Sequence, residues 1–217
     1  MLERITRREE FDLFAAWIAI SIAFTIIFIS PEGLIAGRGV DPLFALSRFG
    51  ISLVTVGIAF ILHEMAHKFT AIRYGFWAEF RKNNVMHLFD VILAATVGVV
   101  FAAPGATVIY TNPAEGRGIS REQNGMISIA GPLVNLVLCI PFAGLFLLGG
   151  GLAHTANLFT IVGLIGVQVN AMIATFNMLP VSVLDGKKVA QWNIAIFLAT
   201  FVIAIATLYL SYAFFSI

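Results

Sequence analysis

Ile61-Leu62-His63-Glu64-Met65-Ala66-His67-Lys68, continuing Phe69-Thr70-Ala71-Ile72-Arg73-Tyr74-Gly75, closes a long apolar segment with an H-E-x-x-H sequence. Two histidines at i and i+4 stack one turn apart on one face of a helix. At that spacing two imidazoles can bind a single zinc ion while the intervening Glu64 reaches its water. The residues that precede the motif, Ile51 to Leu62, carry no charge. An ionisable cluster in a segment of membrane character is costly, so its default reading is functional. The plain alternative, a polar helix end near the lipid headgroups, is disfavoured by the same cost.

Composition supports that setting. Of 217 residues, 59% are hydrophobic and 12% charged, with a mean hydropathy of +0.95. Soluble chains carry about twice that charged fraction. Several apolar runs approach or exceed the ~20 residues that cross a bilayer as a helix. The chain reads as an all-α polytopic membrane protein with five or six transmembrane helices and little outside the bilayer. A net charge of +1 and the lack of a basic run give no footing for nucleic acid. Cys139 lies in an apolar run and reads as a small core hydrophobe.

Upstream of the motif, Leu13 to Ser30 is the first apolar segment, too long for an ordinary signal-peptide core and followed by no clear cleavage site. Asp41-Pro42 offers an N-cap and a proline at the first helical position, so the second helix is expected from there to Tyr74-Gly75. Downstream, Phe76 to Asn84 is mixed and Met86 to Ala103 is apolar but holds His87 and Asp90. Val99 to Tyr110 is rich in β-branched residues about Pro104-Gly105, which predicts a small membrane-associated β-hairpin or sheet after the second helix. Three further helices are expected: Met126 to Leu148, Thr155 to Met178, and Val189 to Phe215. Asn135, Gln168 and Asn170 read as interhelical hydrogen-bonding groups.

The positive-inside rule orients these segments. If Met86 to Tyr110 dips in and returns, five full spans place Arg4, Arg7, Arg8, Lys68, Arg73, Arg81, Lys82, Arg117, Arg121, Lys187 and Lys188 on one side. Only Arg38 and Arg48 then fall near the other. The N-terminus is expected to be cytoplasmic.

A catalytic zinc takes three protein ligands and keeps a fourth position for water. His63 and His67 supply two, and Glu64 is placed to act as general base. A metzincin would continue to a third histidine, but Thr70 and Arg73 occupy the diagnostic positions, which excludes that class. The third ligand is then open among Glu79, Glu115, Glu122 and Asp185. Asp185 lies in Asn177-Met178-Leu179-Pro180-Val181-Ser182-Val183-Leu184-Asp185-Gly186.

H-E-x-x-H at the end of one transmembrane helix, with N-x-x-P-x-x-x-L-D-G after a later one, resembles the site-2 protease family of intramembrane zinc metalloproteases. Ala71-Ile72-Arg73-Tyr74-Gly75 and Ala130-Gly131-Pro132-Leu133-Val134-Asn135 also look like that family. The resemblance runs from about Phe44 to Lys188 within a single domain over residues 1–217, with no PDZ-like or CBS-like stretch. It implies one zinc per chain with Asp185 as third ligand. Asn177 would help hold the catalytic centre or the oxyanion. Pro180 would break the helix ahead of Asp185-Gly186, and Asn135 would lie near the metal in a supporting place. Lys187 stands where family members often have a second glycine. The five-span topology agrees, because it puts His63, His67 and Asp185 near one cytoplasmic face. The opposite parity would separate them by most of a ~30 Å hydrocarbon core.

The resemblance implies a zinc endopeptidase of a prokaryotic-type cell membrane, acting on transmembrane segments of other membrane proteins. The alternative is a metal or ion transporter using the same His/His/Asp site. Against it, Glu64 has no needed place there and the helices show no repeat relation.

Overall fold

The computed structural model describes residues 5–29, 41–96, 105–111, 118–181 and 183–213; the side chains of His87, Phe89 and Asp90 lie outside that description. Among the described residues, seven α-helices and two strands run in the order α1 (Arg7–Ile29), α2 (Pro42–Arg73), β1 (Trp77–Lys82), α3 (Asn84–Thr96), β2 (Gly105–Tyr110), α4 (Arg121–Leu148), α5 (Leu158–Asn177), α6 (Asp185–Trp192) and α7 (Ile194–Ala213). Five of these, α1, α2, α4, α5 and α7, are long and apolar enough to cross a membrane.

The helix that carries the H-E-x-x-H motif is delimited as its sequence dictates. Asp41 caps α2, its carboxylate accepting from the Leu43 amide at 3.1 Å, and Pro42 takes the first helical position, where no N–H is needed. Gly75, at φ 84°, turns the chain out of the other end. At 1.5 Å per residue, 32 residues extend about 48 Å, more than the ~30 Å hydrocarbon core. The motif therefore sits near the far end of a helix that overspans the bilayer.

Around it, α1 packs along α2, while α2, α4 and α5 pack against one another. Leu13, Ala16, Ile20 and Phe24 of α1, Val56, Ala59 and Phe60 of α2, and Ile165, Val169 and Ile173 of α5 form the main buried cluster.

The two strands form one antiparallel sheet in which Trp77 faces Tyr110 and Lys82 faces Gly105. The β-rich stretch before Thr111 therefore pairs with Trp77–Lys82; the half of the expected hairpin that falls on Val99 to Pro104 lies outside the described residues. The chain between the strands leaves and returns at one place. Its helix α3 covers 13 described residues, about 20 Å. The last expected helix is divided: α6 ends at Trp192, Asn193 is extended, and its side chain caps α7 by accepting from Ala195 and Ile196 at 3.0 and 3.1 Å. Asparagine competes for backbone donors in this way, and the apolar run alone gave no sign of it.

The sheet has unlike edges. Glu9 of α1, fully buried, accepts the Phe80 amide at 3.0 Å and forms an ion pair with the equally buried Lys68 of α2. An amide that points to Glu9 cannot also point to β2, so Phe80 and Thr107 form a non-hydrogen-bonded pair of the ladder. The backbone groups of Gly105, Thr107 and Ile109 consequently point away from β1. Among the described residues, no backbone hydrogen bond occupies that outer edge of β2.

Candidate metal centre

His63 and His67 lie on the inner face of α2, with 2% and 6% of their surface exposed. Each ring is held from behind. The Nδ1 of His67 donates to the Ile127 carbonyl of α4 at 2.8 Å. The Nδ1 of His63 meets the Asn135 side-chain oxygen at 2.5 Å. Asn135 cannot be turned around, because its amide nitrogen donates to the Ala59 carbonyl at 3.1 Å and to Asn170 at 2.9 Å. Asn170 in turn donates to the Gly166 carbonyl at 2.8 Å. An acceptor behind each ring places the proton on Nδ1 and leaves the Nε2 lone pair facing forward, as metal-bound histidines are held.

Those two Nε2 atoms are 3.0 Å apart, and Asp185 Oδ2 lies 3.6 Å from His63 Nε2 and 3.0 Å from His67 Nε2. Three electron-pair donors converging on one point repel unless a cation lies between them. Tetrahedral zinc at bond lengths of 2.0–2.1 Å has ligand–ligand edges of about 3.3–3.4 Å, so the donor set fits that ion. Among the described residues, this is the one group of three such side chains close enough to share an ion. Glu79 is engaged elsewhere, with Arg81 and the Trp77 indole, and Glu122 sits in the first turn of α4; Glu115 lies outside the described residues.

Two glycines make the approach possible. A Cβ on Gly131 of α4 would stand 2.6 Å from His63 Nε2 and run into His67 as well. The space it leaves is where the imidazoles meet. A Cβ on Gly186 would collide with the Met178 carbonyl and come within 2.8 Å of Leu179 O. The Asp185-Gly186 pair is thus no turn: it opens α6, with glycine letting that helix press against the end of α5 and deliver Asp185. Pro180 stands in the short connection, three residues beyond the end of α5 at Asn177. Asn177 is buried, donates to the Ile173 carbonyl at 3.0 Å and lines the same cavity as the ligand cluster.

That cavity, about 310 Å3, is walled by α2 on one side and β2 on another, with Asp185 and Lys188 of α6 at its margin. Glu64 faces it and accepts a hydrogen bond from the Thr107 hydroxyl of β2 at 2.8 Å. Lys188 stands 3.4 Å from the Asp185 oxygen that points away from the histidines. No motif marks Thr107 as a partner of Glu64, since 43 residues separate the two. Lys188 could have been found by its i+3 relation to Asp185, had a helix been expected to start at Asp185.

Comparison with known proteins agrees with this chemistry. Residues 51–161 match the model of peptidase family M50. Curated relatives described as candidate zinc metalloproteases include one from Methanocaldococcus jannaschii, 35% identical over 88% of this chain and 87% of its own length. Another, from Bacillus subtilis, is 30% identical over 68% of this chain and 71% of its own. A third, from Mycolicibacterium smegmatis, is 29% identical over 71% and 62%. No solved structure matches this chain significantly.

Proposed function

This chain belongs to peptidase family M50, the site-2 protease family of zinc metalloproteases, and from that premise we propose that it is an intramembrane endopeptidase that cuts transmembrane segments of other membrane proteins. It is an integral membrane protein with five membrane-length helices. The observation that carries the reading is the burial of His63, His67 and Asp185 among those helices, at a cavity that also holds Glu64 and the open edge of β2.

His63, His67 and Asp185 would hold the zinc. When bound, the ion acts as a Lewis acid and brings the pKa of its water to about 7. Glu64 takes the proton from the attacking water and passes it to the leaving amine. Asn177, on the cavity wall, offers its side chain to the carbonyl oxygen of the scissile bond. Asn135 keeps His63 in the tautomer that presents Nε2 inward. A substrate helix hides its amides in its own hydrogen bonds, so it must unwind before hydrolysis. The outward-pointing backbone groups of Gly105, Thr107 and Ile109, which no described residue pairs with, suit an extended segment added as a third strand. Irregular backbone at this depth is tolerated where it lines a cavity, as β2 does. By the charge distribution along the chain, the N-terminus and the metal site face the cytoplasm, and the whole chain works as one domain.

The test is Glu64→Gln in detergent with a transmembrane substrate. Zinc content should be unchanged and cleavage abolished. Chelator-insensitive cleavage by that variant would sink the mechanism, and metal uptake into proteoliposomes without proteolysis would favour transport.

A further inference from the structure

We propose that Thr107 is a positioning residue for Glu64, holding the general base from the strand that would receive the substrate. The inference rests on the protease reading above and adds to it a residue outside both sequence motifs.

Two observations on different atoms of Thr107 support it. Its hydroxyl donates to Glu64 Oε2 at 2.8 Å. Glu64 is 92% buried, and among the described residues no other hydrogen bond to its carboxylate is seen. A carboxylate in such surroundings has little water to orient it, so one fixed donor sets which oxygen faces the cavity. The backbone of the same residue, by the ladder's alternation across from Phe80, points its N–H and C=O to the outer edge of β2. Burial along the strand alternates in step: Gly105, Thr107 and Ile109 are half-buried, while Ala106, Val108 and Tyr110 are exposed.

Threonine suits the task because branching at Cβ leaves few χ1 rotamers, so the hydroxyl follows the backbone. A chain pairing with this edge would steady the residue whose hydroxyl aims the base. Packing alone gives no reason for a hydroxyl here, since valine has the same shape.

The experiment compares Thr107→Val and Thr107→Ser with the wild-type chain, measuring kcat, KM and zinc content on one transmembrane substrate in detergent. Thr107→Val should lower kcat by about 10–100-fold, the usual size for an outer-shell contact, with zinc content unchanged and KM within about 2-fold. Thr107→Ser, which keeps the donor, should recover kcat to within about 3-fold of wild type. Wild-type kcat in Thr107→Val, or a serine variant as slow as the valine one, overturns the inference. So does a rise in KM at unchanged kcat. If Thr107→Val does not fold, Thr107→Ala carries the same comparison. Glu64→Gln is assayed in parallel: equal cleavage by it and wild type would mean that the protease reading has failed, whereas a silent Glu64→Gln beside a fully active Thr107→Val would remove the role of Thr107 alone.

Discussion

The cavity has two walls of opposite character. On the helical side, the two histidines and the asparagine behind them are answered from other helices: His67 by Ile127, His63 by Asn135, Asn135 by Ala59 and Asn170. On the strand side, β1 is sealed by Glu9, whereas among the described residues no backbone hydrogen bond occupies the outer edge of β2. A metal tolerates little variation in its ligands, so its wall is closed and fully bonded. A substrate backbone is the same in any sequence, so its wall needs only exposed amides and carbonyls in register. On the function proposed above, the difference separates a site for one ion from a site for many chains.

Asp185→Ala strikes the closed wall hardest. Purified protein should lose most of its zinc, with cleavage falling by at least about 10³-fold, because two histidines and no carboxylate make a poor site. Full zinc content by metal analysis would show that another side chain is the third ligand.

Lys68→Met should act on the strand wall through stability. It leaves Glu9 buried without its cation, at a cost of about 3–5 kcal/mol, visible as a lower Tm in detergent. Adding Glu9→Gln to that variant should return most of the loss, since the amide oxygen can still accept from Phe80. An unchanged Tm in the single variant would break the view of Glu9 as the seal of β1.

Gly131→Ala separates site from fold. Alanine is the better helix former by about 1 kcal/mol, yet its methyl enters the space where the imidazoles meet. Zinc affinity should fall by about 10–100-fold while the folded helix content, read by circular dichroism, is kept. Retained affinity would mean that the rings can shift without harm.

The smallest effect is expected for Asn170→Leu, two hydrogen bonds away from the metal. Asn135 loses one of the two acceptors that fix its orientation, and zinc affinity should drop by about 10-fold. A loss as large as that of Asp185→Ala would point to collapse of the α4–α5 contact, to be checked by Tm.

Much of the fold was readable because its causes are local. Long uncharged runs marked the membrane helices, and Asp41-Pro42 and Tyr74-Gly75 marked both ends of α2. The break at Asn193 escaped notice, since one asparagine in an apolar run announces no cap until its side chain is seen turned to Ala195 and Ile196. The small sheet expected after the second helix is present, but its pairing of β2 with Trp77–Lys82 across an intervening helix is not a matter of neighbouring residues and was not legible in the chain.

The sequence by itself determined the membrane setting and the paired histidines with their glutamate, and the family resemblance of its second motif put Asp185 forward as their partner. Helical spacing and hydropathy are properties of neighbouring residues, and they survive in one dimension. Only the tertiary structure decided that Gly131 leaves room for the two rings, that Glu9 answers Lys68, and that Thr107 reaches Glu64. Such contacts join residues tens of positions apart, and a hydrogen bond depends on a few tenths of an ångström that no spacing along the chain encodes.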